Sequence, residues 1–249
     1  MRDPITIITT VRDGDLFLDR YFDNLTGILG TNDHVVVVDD GSHIPLAIPE
    51  NWYGDRRLLC LYPGKIGRGA ALNLAIENSP TDLIAIQDID DISLPGRLDR
   101  QADVLSDSPD RLVFASSLSD PSCLTLRNMH PISPSRLYVS NPLHHSALAM
   151  HRSVWARAGG YATDLPCCID LDFYLRACTR AKADIYRLQE RLIDRNHDPA
   201  NRYFAQIPER LYHRTRNSVL ARYCRDLPCS GWQIIAKLRM PTLFSRRKA

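Results

Sequence analysis

The chain has 249 residues, 44% of them apolar and 24% charged, which suits one large α/β domain and excludes bulk disorder. A net charge of only +2 argues against a dedicated nucleic-acid binder. Seven cysteines with no CxxC pair argue against a zinc site, and no apolar run approaches the roughly 18 residues of a membrane span. Reduced thiols and an N-terminus without the regions of a signal peptide lead us to expect a cytoplasmic protein.

Residues 5–9 form a short, mostly apolar run, the pattern of a strand buried on both faces. Asp13 or Asp15 is placed to cap a helix with Leu18, Tyr21, Phe22, Leu25, Ile28 and Leu29 at spacings of three and four. Val35-Val36-Val37-Val38 is the clearest strand and ends abruptly in Asp39-Asp40-Gly41-Ser42. Leu58–Leu61 reads as a third strand, closed by Pro63-Gly64, and residues 69–78 as a helix whose alanines allow close packing. Leu83–Ile86 is a fourth strand, ending in Asp88-Ile89-Asp90-Asp91.

Residues 94–105 predict a helix with Pro95 in its first turn, and residues 112–115 another strand. Four prolines between positions 121 and 142 predict an irregular segment. Further on, 147–151 reads as strand, 170–180 as helix, 185–193 as strand and 208–223 as helix. In the last, Leu211, Val219, Leu220 and Tyr223 are candidate packing positions. Strands alternating with helices imply a mainly parallel sheet flanked by helices, the α/β class, with ligands bound beyond the carboxyl ends of the strands. Both acidic clusters fall at such ends.

Three carboxylates within four residues, at Asp88, Asp90 and Asp91, offer the hard oxygen ligands that Mg²⁺ or Mn²⁺ prefer, with substrate phosphates completing the shell. The competing interpretation is a solvated turn with Asp91 capping the next helix. A carboxylate in Asp39-Asp40-Gly41-Ser42 is suited to a base N–H or a ribose hydroxyl; equally, it suits a turn in which Gly41 takes positive φ.

Taken in order, Ile7-Ile8-Thr9-Thr10, Val38-Asp39-Asp40-Gly41-Ser42, Gly67-Arg68-Gly69-Ala70-Ala71-Leu72-Asn73 and Asp88-Ile89-Asp90-Asp91-Ile92-Ser93-Leu94-Pro95-Gly96-Arg97-Leu98 resemble the family 2 glycosyltransferases, enzymes of the GT-A fold. The likeness continues through His145-Ser146-Ala147-Leu148-Ala149-Met150-His151-Arg152, Gly159-Gly160-Tyr161 and Asp170-Leu171-Asp172-Phe173-Tyr174-Leu175-Arg176. It implies a glycosyltransferase domain over residues 1–200, with a nucleotide-sugar part (1–116), an acceptor part (117–200) and a helical C-terminal extension (201–249).

The resemblance further implies that Thr9 and Val11 flank the nucleobase, although Val11 stands where an aromatic residue is usual. Asp40 matches the base-recognising carboxylate, and Arg68 lies in the stretch that contacts the nucleotide. Asp88 and Asp90 match the Asp-x-Asp pair, Asp91 is a further metal ligand, and either Asp90 or Asp91 holds the Mn²⁺ or Mg²⁺. Asp170 matches the catalytic base, with Ile169 where the family has a second acid; Asp172 is a cap or helix-dipole partner. In Asp194-Arg195-Asn196-His197, which resembles a Tyr-Arg-x-His element, His197 contacts the metal or the pyrophosphate.

An inverting transfer is implied, from a nucleotide-diphosphate sugar (a UDP-sugar first among the candidates) to a small-molecule, glycan or lipid-linked hydroxyl. Residues 232–248 mix apolar and basic side chains, so a peripheral contact with the inner face of a membrane is one reading and a packing helix with a basic end the other. Alternative functions are a sugar nucleotidyltransferase and a non-catalytic nucleotide-sugar-binding module.

Overall fold

The computed structural model describes residues 2–120, 128–198, 207–223 and 226. The N-terminal part alternates as its hydrophobic periods dictate: β1 (Ile5–Val11), α1 (Leu18–Ile28), β2 (His34–Asp39), β3 (Leu58–Leu61), α2 (Arg68–Glu77) and β4 (Leu83–Ile86). Next come β5 (Ile92–Ser93), α3 (Arg97–Asp107), β6 (Arg111–Ser117), β7 (Met129–Pro131) and α4 (Arg136–Val139). The remainder contains β8 (Leu148–His151), α5 (Arg152–Ala158), α6 (Ile169–Thr179), β9 (Asp184–Asp194) and α7 (Glu209–Tyr223).

Among the described residues all the strands share one sheet, in the order β3-β2-β1-β4-β8-β6-β9-β5, with β7 also paired on β9. The first four run parallel, as expected of apolar runs joined by helices. Beyond them the sheet is mixed: β8 lies antiparallel between β4 and β6, while β6 and β9 are parallel. Side chains alternate across the sheet. Ile8, Val36, Val38, Ile84 and Phe114 pack with α2, α6 and α7 on one face. On the other, Ile7, Val35, Val37, Ala85 and Val113 pack with α1 and α3.

Several local readings change. Neither Asp13 nor Asp15 caps α1, which is entered through a 3₁₀ turn at Asp15–Phe17; the Asp13 carboxylate instead accepts the His43 amide at 2.7 Å. Pro95 precedes α3, because Gly96 takes the left-handed conformation at φ 82 and the helix starts only at Arg97. The irregular segment contains β7 and α4, and β5 is a two-residue strand too short to leave a periodic signal. Leu211 is exposed, whereas Val219, Leu220 and Tyr223 pack inward with Thr215 and Arg216.

Asp172 is 1% exposed, ion-paired with Arg176 at 2.7 Å, and accepts the Tyr223 hydroxyl at 3.0 Å. It therefore ties α6 to α7 across the core, instead of serving as a cap. No described helix is long and apolar enough to cross a membrane. The mixed apolar and basic stretch at 232–248 lies outside the described residues.

Gly69, in the first turn of α2, touches the backbone of Ala162; a Cβ there would fall well inside contact distance of the Ala162 carbonyl oxygen. This contact sets α2 against the segment before α6. Gly69→Ala should lower stability by about 2 kcal/mol, since backbone on both sides must shift, as measured by urea unfolding.

Candidate active site

β4 ends at Ile86, and the chain then makes a tight turn in which the Asp91 amide donates to the Asp88 carbonyl at 3.2 Å. The turn gathers one carboxylate oxygen each from Asp88, Asp90 and Asp91 within 4.8 Å of one another. Arg68, the first residue of α2, reaches across and donates to Asp88 at 2.7 Å. Asp91 is only 5% exposed and is held from two distant segments. The Ser146 hydroxyl donates to one of its oxygens, and the Asn196 amide to the other at 2.8 Å. The Asn196 side chain donates in turn to Asp90 at 3.2 Å.

Beneath the turn lies Arg97, 1% exposed. It donates to the Ser93 hydroxyl at 2.7 Å, the Ile86 carbonyl at 2.7 Å and the Gln101 side chain at 3.0 Å. Burial lowers its pKa to about 10, partly opposed by the charges of Asp91 and Asp88. Ser146, Asn196 and Arg97 were given no role by the sequence. For Arg97 a partial signal existed, since Arg97 and Gln101 are four apart in the segment read as a helix, whereas Ser93 lies in the strand before it.

At the end of β2 the two aspartates divide their work. Asp39 accepts the amides of Ser42 at 2.8 Å and Leu46 at 2.9 Å, and so folds its own loop. Asp40 accepts the amides of Ile66 and Gly67, both at 2.7 Å, and so shapes the approach to Arg68. Gly41, at φ 74, passes so close to Lys65 that a Cβ would lie 2.7 Å from its amide nitrogen. The side chains of Thr9 and Val11 face inward. Thr9, fully buried, bonds the Tyr21 hydroxyl at 2.6 Å and the Gln87 carbonyl at 2.8 Å, while Val11 is 4% exposed in the apolar core. Neither side chain is available to flank a base.

Asp170 stands half-buried in the first turn of α6, where its Oδ2 accepts from the Asn141 side chain at 3.2 Å. Its charge reaches Arg68, His145, Tyr161 and Tyr174, and Arg68 is itself ion-paired with Asp88 of the acidic turn. His145 bridges the two halves, 3.4 Å from the Arg68 guanidinium and 3.0 Å from the Tyr161 hydroxyl. Burial and the neighbouring Arg68 lower its pKa to about 4, so the ring is neutral at pH 7. Two buried donors in this region, Arg68 Nε and the Tyr174 hydroxyl, have no hydrogen-bond partner among the described residues. His197, by contrast, is exposed and lies outside the carboxylate cluster; its neighbour Asn196 makes the contact instead.

A parallel sheet continued by a mixed half, with an acidic turn at the end of β4, is a fold of the GT-A type. The sequence model of glycosyl transferase family 2 matches residues 6–154, and the chain belongs to that family. An uncharacterized glycosyltransferase of Haemophilus influenzae is 23% identical over 187 residues, covering 70% of this chain and 68% of its own. The structure of Staphylococcus aureus TarS 1–349 in complex with UDP-GlcNAc superposes with a TM-score of 0.73 at 13% identity, over 99% of this chain and 76% of that one. The mannosyltransferase PcManGT of Pyrobaculum calidifontis, in complex with GDP-Man and Mn²⁺, gives 0.67 at 17% identity, over 97% and 71%. Family membership decides against the nucleotidyltransferase alternative.

Crowding leaves a titration signature. Burial and the charge of Asp88 raise the pKa of Asp91 to about 6, and the same causes raise Asp90. A carboxyl whose folded pKa exceeds its unfolded value near 4 stabilises the fold only while protonated, so its contribution is lost as pH rises from about 4 through 6. In metal-free buffer, Asp91→Asn should therefore gain about 2 kcal/mol relative to wild type across that interval. Urea unfolding at several pH values reads this; an unchanged difference between pH 4 and 7 would refute it.

Proposed function

We propose that this glycosyltransferase moves a sugar from a nucleotide-diphosphate donor to an acceptor hydroxyl with inversion, using a divalent cation held by the acidic turn. The observation that carries the reading is the convergence of Asp88, Asp90 and Asp91 at the end of β4, with Arg68 ion-paired to Asp88 and also feeling the charge of Asp170. The donor set fits Mn²⁺ or Mg²⁺, being three hard carboxylates, of which burial and then mutual repulsion already favour protonation of Asp90 and Asp91. Asp90 and Asp91 are the ligands expected, with Asp88 turned toward the ribose. When bound, the cation supplies Lewis-acid stabilisation of the departing diphosphate.

Arg68 adds fixed positive charge beside the same leaving group, and its unpartnered Nε gives it a spare donor. Asp40 uses one oxygen on the loop before α2, which leaves the other for the base or ribose. Asp170 takes the proton of the acceptor hydroxyl as that oxygen attacks the anomeric carbon and the bond to the diphosphate breaks. Asn141 orients this carboxylate. His197 is a candidate ligand only if residues 195–198 rearrange on donor binding.

Support for a nucleotide-sugar donor comes from the two superposed structures, one holding UDP-GlcNAc and the other GDP-Man. We retain UDP-sugars as the first donors to try. The acceptor is a small-molecule, glycan or lipid-linked hydroxyl.

Asp170→Asn should abolish transfer, by roughly a thousandfold or more, while the donor-induced rise in Tm persists. Wild-type turnover in that variant would sink the assignment of the base. A thermal-shift series of nucleotide sugars with and without Mn²⁺ should show a metal-dependent rise for donors of one base; indifference to metal across all donors would remove the cation from the mechanism.

A further inference from the structure

Cys167 and Cys168 form the entry to α6, immediately before Ile169 and Asp170. Both are free thiols, with Cys167 buried and Cys168 half-buried. In extended backbone, neighbouring side chains point to opposite sides. Here they converge, with the two Sγ atoms 4.0 Å apart. Cys168 sits in the left-handed region, at φ 59 and ψ 25, a conformation that costs a non-glycine residue on the order of 1 kcal/mol. The charges of Asp170 and of Arg216 on α7 both reach its thiol. The pair thus lies at the entry of the helix that carries Asp170, in a different segment from the acidic turn.

A direct sulfur–sulfur bond suits this geometry poorly. Adjacent Cα atoms across a trans peptide are about 3.8 Å apart, short of the ~4.4–6.8 Å of ordinary disulfides. Burial also raises the pKa of the Cys168 thiol, which keeps it protonated and slow toward oxidants. A soft atom placed between the sulfurs escapes both constraints, because it lengthens the bridge and reacts with neutral thiols.

We propose that Cys167 and Cys168 form a dithiol site for trivalent arsenicals, and that filling it blocks the acceptor side of the cleft. With an organoarsenic oxide, two As–S bonds form as two S–H bonds break, and the oxide oxygen leaves as water carrying both protons. Arsenic stays trivalent, so no oxidant or reductant is needed. The bridge itself is independent of the enzymatic reading. Its effect on transfer rests on Asp170 being the acceptor-side base, since the bridge stiffens and reshapes the turn that presents this residue.

The test uses the full chain and phenylarsine oxide. Intact mass should rise by one phenylarsenic group per chain, and peptide mapping should place it on the segment holding residues 167 and 168. Cys168→Ser should lose the adduct and Cys60→Ser should keep it. The dithiol 2,3-dimercaptopropanol should strip it, while excess monothiol should not. Mapping of the bridge to other cysteines, or equal removal by monothiol, would overturn the site; mapping on wild type decides this even if Cys168→Ser fails to fold. The bridged protein should retain its donor-induced Tm shift and lose transfer by roughly a hundredfold. Undiminished transfer by the bridged protein would overturn the blocking role alone, whereas absence of transfer before treatment would count against the enzymatic reading and leave the bridge to be judged by mass.

Discussion

Three carboxylates brought together at one strand end repel each other, and the surrounding structure is arranged to tolerate that repulsion without cancelling it. Arg68 offsets Asp88 through a direct ion pair, and Arg97 offsets the cluster from beneath, through low-dielectric protein. Backbone and hydroxyl donors from Asn196 and Ser146 hold Asp91 in place. The balance is incomplete, as the raised pKa values of Asp90 and Asp91 record. Neutralisation inside the protein would have left nothing for a cation to do. On the proposed reading, the residual negative charge is what a divalent cation would offset.

Much of this arrangement was legible in the sequence. Unbroken apolar runs such as Val35 to Val38 and Leu83 to Ile86 announce strands buried on both faces, and acids at their ends mark the carboxyl edge of the sheet. What escaped has a common physical character. Ser146 and Asn196 reach the acidic turn from 55 and 105 residues away, and no local pattern encodes such distances. The antiparallel entry of β8 is equally silent, because a four-residue apolar run reads the same in either direction.

Other residues near the site are held by partners that the fold needs internally. Thr9 falls at a suggestive place on β1, yet its hydroxyl is held between Tyr21 and Gln87 in the core. Asp172, two residues from the proposed base, is locked by Arg176 and Tyr223. A polar residue near a site is equally well explained by a buried donor or acceptor that must be satisfied, and only three-dimensional partners tell the two apart. Asp40 belongs to both categories, since organising the loop before α2 is also what aims Arg68.

The antiparallel course of β8 has a consequence for modularity. Because β8 runs against β4 and β6, the turn that leads into it, carrying His145 and Ser146, arrives at the same edge of the sheet as the acidic turn of β4. Strands from before and after residue 116 are therefore interleaved on one continuous sheet instead of being carried by separable halves. Exchange of everything beyond residue 116 would carry away Ser146 and Asn196, and with them the hydrogen bonds that hold Asp90 and Asp91.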